Sequence, residues 1–122
     1  MQIRGFLAGV VLVFACFSAL AEPKAYEVVK YRGKADGVTF VLNYGDGYAH
    51  ASEMWVTERK SGKSARFGLD DSGQMRFVPG KQSGGKREII LKMGMDEGAP
   101  DKVEGTYTVD GKRTQFMLRR ID

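Results

Sequence analysis

The residue types that most often carry out enzyme chemistry are few in this chain. Its one histidine, His50, follows Asp46 and lies two residues before Ser52. Asp, His and Ser can form a nucleophilic triad, but a triad requires side chains that converge in space, which residues on one strand seldom do. On a strand, the Cα atoms of His50 and Ser52 would be about 6.5 Å apart, too far for a direct hydrogen bond. We predict no catalytic residues and no enzymatic activity.

Potential metal ligands are also sparse. Met93 and Met95 have the spacing of methionines that hold copper(I) in some exported proteins, and thioether is a suitable soft ligand. Methionine is nevertheless more often a core residue. The acidic segment 96–101 could bind calcium weakly, but Asp, Glu, Gly and Pro are also ordinary loop residues. We expect no metal and no other cofactor.

The N-terminal segment has the three parts of a secretory signal peptide. One positive charge, Arg4, precedes an apolar run over residues 6–17, and small residues, Ala19 and Ala21, occupy the −3 and −1 positions of a cleavage site. The run is shorter than the roughly 20 apolar residues that span a bilayer. We predict that residues 1–21 are a signal peptide, that the mature protein is periplasmic or secreted, and that it has no transmembrane span.

Lipid anchoring through Cys16 is the alternative. Residues 13–16, Val-Phe-Ala-Cys, resemble the lipobox of bacterial lipoproteins, in which the cysteine is lipidated and becomes the first residue of the mature chain. Phe14 and Phe17 fit that motif poorly, whereas Ala19 and Ala21 fit soluble export. After soluble export the mature chain has no cysteine, so it contains no disulfide and no thiolate ligand.

Cleavage leaves residues 22–122, and this length of 101 residues is that of a single domain. This domain has 18 Lys and Arg against 15 Asp and Glu, a net charge of +3, because Arg4 is removed with the signal. So mild a charge does not indicate a nucleic-acid partner. We expect a monomer.

The mature sequence has the pattern of an all-β protein. Short alternating runs of apolar and polar residues, bounded by glycine, recur about every ten to fourteen residues, as in antiparallel sandwiches and barrels. We predict one antiparallel meander of about eight strands, closed as a small up-and-down barrel or as a sandwich. The predicted strands cover residues 26–32, 38–44, 48–58, 64–69, 74–78, 88–93, 102–109 and 112–121.

Turn chemistry determines the register of the last two strands. Asp110 and Gly111 are the preferred pair for a two-residue type I′ hairpin turn, so the numbers of paired residues sum to 221. This register makes one face apolar and the other polar, and a slip of one residue would mix them. It also pairs Gly105 with Phe116, whose ring is expected to cover the bare backbone.

The charged turns sort by position if the strands form a simple meander, because consecutive turns then lie at opposite ends of the sheet. Turns one, three, five and seven carry ten Lys and Arg against Asp36 and Asp110, whereas turns two, four and six carry six acidic residues and no basic one. The simpler interpretation is that these charges keep the protein soluble and discourage edge pairing. The functional interpretation is that the basic turns attract an anionic partner.

In the cell envelope, such a partner would be a lipid headgroup, an acidic glycan or an acidic protein surface. Trp55 joins the candidate contact residues if its face of the third strand is exposed; in the other arrangement Trp55 is in the core and Met54 and Val56 face outward. The predicted binding residues are Arg59, Lys60, Lys63, Lys86, Arg87, Lys112, Arg113 and Trp55.

A second functional hypothesis places a small apolar ligand inside the barrel. Eight strands leave just enough interior for side chains or for one small ligand. The side chains predicted to line that interior are Phe40, Leu42, Phe67 and Phe116.

Overall fold

The computed structural model describes residues 26–80, 86–94 and 98–121. The predicted signal peptide 1–21, including Cys16, lies outside these residues. Lys81, Met95 and residues 96–97 of the acidic segment lie outside them as well.

The described residues form eight strands that close into a barrel in chain order. Each strand is antiparallel to its neighbours, and β8 pairs with β1. This architecture confirms the predicted all-β meander, closed as a barrel. The strands are β1 (Glu27–Ala35), β2 (Val38–Asp46), β3 (Glu53–Glu58), β4 (Ser64–Leu69), β5 (Arg76–Pro79), β6 (Arg87–Leu91), β7 (Lys102–Val109) and β8 (Lys112–Arg120).

No helix within the described ranges is long and apolar enough to cross a membrane. The one helical element among the described residues is a 3₁₀ turn over Ala49–Ala51, where the sequence predicted the beginning of the third strand. That part of the prediction is wrong because Ser52 bonds locally instead of joining a ladder. Its buried hydroxyl accepts a hydrogen bond from the backbone N–H of Gly45 at 2.9 Å, which holds the turn against the end of β2.

Aromatic side chains fill the barrel interior. Phe40 stacks on Phe116 with 4.0 Å between ring centroids, and the edge of Tyr107 contacts Phe40 at 5.4 Å. Tyr107 also lies 6.1 Å from Phe67. These rings are buried together with Leu42, so the residues predicted to surround a ligand belong to one packed core cluster.

The register predicted for the final hairpin is confirmed. Gly105 lies opposite Phe116, and the turn residues Asp110 and Gly111 have φ angles of 49° and 90°, as a type I′ turn requires. A second turn of the same kind joins β1 and β2, where Asp36 and Gly37 have φ angles of 49° and 76°. This second turn type was not predicted, although the sequence there carries the same Asp-Gly signal.

The close packing of Phe116 over Gly105 can be tested by adding a methyl group. The Cβ of an alanine at Gly105 would overlap the Phe116 ring and lie 2.9 Å from Leu91 Cδ2. Gly105→Ala is therefore expected to lower the free energy of unfolding by about 1–3 kcal/mol, measured by urea denaturation.

Gly68→Ala is the matched control, because the nearest heavy atom to its Cβ would be an Arg66 nitrogen at 3.9 Å. Its stability should change by less than about 0.5 kcal/mol. Equal stabilities for the two variants would contradict the packing at Gly105.

Candidate functional site

Eight of the ten positive charges predicted to share one end of the molecule do so, and Lys81 lies outside the described residues. Because every connection joins antiparallel neighbours, the β1–β2, β3–β4, β5–β6 and β7–β8 connections lie at the same end of the barrel. We call this the basic end. Its acidic residues in the described ranges are Asp36, Glu58, Glu88 and Asp110. Its basic residues are Lys34, Arg59, Lys60, Lys63, Lys86, Arg87, Lys112 and Arg113.

Arg32, which was predicted to lie in these turns, belongs instead to the wall of the barrel. Strand β1 continues to Ala35, so Arg32 is an exposed strand residue paired with Val41. The strand is longer than predicted because the Asp36-Gly37 turn lets the hairpin ladder continue to the turn itself.

The opposite end is acidic, but it is not free of positive charge. Arg76 donates to Asp70 and, at 2.8 Å, to Glu88. Burial acts to raise the pKa of Asp70, but hydrogen bonds from Ser72 and from Arg76 outweigh it and leave that pKa below its usual range. Lys92 also lies at this end, because β6 ends at Leu91. Arg76 and Lys92 therefore each stand beside a carboxylate, whereas Lys102 and Arg119, which also lie toward this end, form no ion pair with a described residue.

Arg87 points into the mouth of the barrel at the basic end. It has the same strand parity as buried Ile89 and Leu91, and its guanidinium carbon is 5.3 Å from the centroid of the Phe67 ring. The side chain is half-buried and forms no ion pair with any residue the structure describes. Partial burial of an unpaired charge is unfavourable, so this guanidinium is a natural partner for an anion.

The mouth forms a cleft of about 200 Å³ beside this guanidinium. Val56 and Ala65 supply apolar surface there, and Lys63 and Arg87 supply positive charge. Glu58 and Ser64 complete the lining. The cleft can therefore accept a carboxylate or phosphate group that carries a small apolar portion.

The other predicted turn residues occupy neighbouring surfaces. Arg59 and Lys60 line a cleft of about 320 Å³ beside the β1–β2 turn, and Lys86 lines one of about 510 Å³ that also reaches Arg87. Lys112 and Arg113 are exposed at the start of β8. The structure thus brings Lys63 and Lys86 each beside Arg87.

Trp55 lies apart from this group, on the outer wall. Its side chain is 37% exposed, whereas Met54 and Val56 are 0% and 2% exposed. Of the two arrangements left open by the sequence, the structure therefore has the one in which Trp55 faces outward. Its direct neighbours across the sheet are Val41 and Arg66.

One carboxylate holds the side chains around Trp55 in place. Glu53 accepts hydrogen bonds from Arg66 at 2.7 Å, from Asn43 at 3.0 Å and from the indole N–H of Trp55 at 3.2 Å. The Arg66 guanidinium, assisted by the Asn43 amide, keeps the pKa of the Glu53 carboxyl below its usual range. Glu53 therefore orients an exposed tryptophan beside an arginine.

The Asp-His-Ser grouping noted in the sequence does not assemble. His50 is exposed in the 3₁₀ turn, with its ring 6.0 Å from that of Tyr48, and Ser52 is buried with its hydroxyl engaged by Gly45. Among the residues that the structure describes, no three His, Cys, Asp or Glu side chains are placed to hold a metal ion.

Comparison with protein-family models, with curated proteins and with solved structures finds no match. The fold and the site define a closed, eight-stranded up-and-down β-barrel with a filled interior and its free cations on the outside. Its function therefore has to be argued from those outer surfaces.

The hydrogen bonds to Glu53 predict a pH-dependent contribution to stability. A carboxyl with a lowered folded-state pKa stabilises the fold above its unfolded pKa, and this contribution is lost as the pH falls through the folded pKa. We expect Glu53→Gln to lower the free energy of unfolding by about 1 kcal/mol at pH 7 and by less at a pH below the ordinary carboxyl pKa of 4.5. Urea denaturation at the two pH values measures both differences.

Glu104→Gln is the matched control, because the Glu104 carboxylate is 57% exposed and its nearest ion-pair nitrogen, on Lys92, is 3.9 Å away. Its effect should be smaller at pH 7. A Glu53→Gln difference that does not change with pH would contradict the assigned role of the Glu53 carboxylate.

Proposed function

We propose that the mature domain is an exported, monomeric, non-enzymatic binding module whose basic end engages an anionic partner in the cell envelope. The observation that supports this most directly is the convergence of four connections at one end, with eight Lys and Arg against four acidic residues in the described ranges. Clustered charge of one sign raises the local concentration of oppositely charged partners and accelerates their association.

The mouth of the barrel gives this proposal a specific contact. Arg87 and Lys63 line the same cleft, with Val56 and Ala65 beside them. A guanidinium binds carboxylate and phosphate through paired N–H donors, and the apolar surface around it weakens competition from water. An anionic group that enters the mouth would bond to both cations.

The alternative function, binding of a small apolar ligand inside the barrel, has less support. Such a ligand would have to separate Phe40 from Phe116, whose rings stack at 4.0 Å. That separation would give up buried ring contacts before any ligand contact forms. Native mass spectrometry of the purified protein is expected to detect no co-purified apolar molecule.

Charge reversal tests the basic end. We expect Lys60→Glu, Lys63→Glu, Lys86→Glu and Lys112→Glu, made together, to abolish association with the anionic partner and to leave the melting temperature within about 3 °C of the wild type, because exposed lysines contribute little to stability. The probes are vesicles of phosphatidylglycerol and phosphatidylcholine. Sedimentation and surface plasmon resonance measure binding.

The control compares two double reversals with the same change in net charge. Lys60→Glu with Lys63→Glu alters the basic end, whereas Lys30→Glu with Lys92→Glu alters exposed lysines elsewhere. Only the first should weaken vesicle binding. Equal weakening by both pairs would mean that net charge alone drives association and would contradict a defined basic end.

Export rests on the N-terminal sequence and has its own test. Mass spectrometry of the protein recovered after expression of the full chain should give a mature form that begins at Glu22, and Cys16→Ser should leave that mass unchanged. A lipidated mature form that begins at Cys16 and disappears in Cys16→Ser would establish the anchored alternative.

A further inference from the structure

A continuous row of outward-facing side chains crosses six of the eight strands. Each member is the direct partner of the next across a strand boundary, from β7 through β8, β1, β2 and β3 to β4. We call it the wall row. Its members, in spatial order, are Lys102, Arg119, Arg32, Val41, Trp55 and Arg66.

One half of the wall row consists of three adjacent, positively charged side chains. Lys102 pairs with Arg119, and Arg119 pairs with Arg32. All three are exposed, and none forms an ion pair with a residue in the described ranges. Like charges directly opposite one another destabilise a sheet, so folding alone gives no reason for this arrangement.

The other half of the wall row combines an aromatic ring with a further cation. Trp55 lies between Val41 and Arg66, and its indole N–H is bonded to Glu53. Arg66 is bonded to the same carboxylate at 2.7 Å. The ring is therefore both accessible and oriented, as a stacking surface for a ligand should be.

The shape of the wall row narrows the class of partner. A row that crosses six strands of an eight-stranded barrel bends around most of its circumference. A flat bilayer or a rigid protein surface would contact only the strands nearest to it. A flexible chain can follow the whole row, and strand spacing sets one binding position about every 4.8 Å.

We propose that the wall row binds an extended acidic polysaccharide. Carboxylates on successive sugars contact Lys102, Arg119 and Arg32, and the apolar face of a sugar ring stacks on Trp55. This inference rests on the proposed function to the extent that the partner is anionic, and it places the contact on the wall, separate from the basic end.

Tryptophan fluorescence can monitor binding at this site, because Trp55 is the only tryptophan of the chain. Titration of the mature protein with polygalacturonate should change the intensity and emission maximum of Trp55 fluorescence. Arg32→Gln with Arg119→Gln should weaken binding about tenfold and reduce the slope of log affinity against log salt by about 1.5, since two charge contacts are lost. The melting temperature of this variant should stay the same or rise, because repulsion is relieved.

Lys60→Gln with Lys63→Gln removes the same number of charges from the basic end and is the matched control. It should leave polygalacturonate affinity within about twofold of the wild type, since the sites are separate. Galacturonate monomer should bind far more weakly than the polymer, because it cannot contact successive positions. Trp55→Ala should weaken polymer binding several-fold, as measured by isothermal titration calorimetry.

Three results would overturn the inference. The first is polymer binding that depends on Lys60 and Lys63 but not on Arg32 and Arg119, which would leave the proposed function of the basic end intact. The second is a Trp55 response to phosphatidylglycerol vesicles that equals the response to polymer and is lost in the Arg32 and Arg119 variant. The third is equally tight binding of oligothymidylate. If every basic-end variant still binds vesicles as tightly as the wild type, that result would contradict the proposed function alone.

Discussion

The pairing of β1 with β8 is the constraint on which the rest of the structure depends. It joins Tyr31 to Arg120 and Arg32 to Arg119, and it leaves no open sheet edge in the described strands. The approach is close, because a Cβ on Gly33 would collide with the backbone oxygen of Met117. Once the ladder is closed, strand alternation determines the inside and outside of every strand, so the same pairing that buries Tyr31 sets Arg32 beside Arg119 on the wall.

Closure also decides where function can lie. An eight-stranded barrel has an interior just wide enough for its side chains, and here stacked rings such as Phe40 and Phe116 occupy it. The surfaces that remain are the connections at the two ends and the outer wall. Arg87 links the basic end to the core. Its guanidinium lies over the buried Phe67 ring, and the cleft that it lines opens at the basic end. Binding chemistry in this fold therefore belongs to turns and to outward strand positions.

The sequence predicts those parts of the structure that local chemistry determines. The Asp110-Gly111 turn gave the final register, and the Asp36-Gly37 turn could have given that of the first hairpin. Residues 48–52 were wrongly assigned to a strand. The alternating pattern does not reveal the hydrogen bond that the backbone N–H of Gly45 donates to the Ser52 hydroxyl. The wall row could not be predicted at all, because it depends on pairing between residues as distant in sequence as Arg32 and Arg119.

The unpaired cations result from where the acidic residues lie in the fold, because the chain has enough acidic residues to pair with them. The chain has 15 Asp and Glu, and the structure pairs Arg76 with both Asp70 and Glu88, and Arg66 with Glu53. The same fold leaves Arg32 and Arg119 side by side with no described carboxylate to neutralise them. Glu104, the outward-facing acid on the neighbouring strand β7, lies beside Lys92 instead. The repulsion between Arg32 and Arg119 would be relieved by a ligand that supplies negative charge.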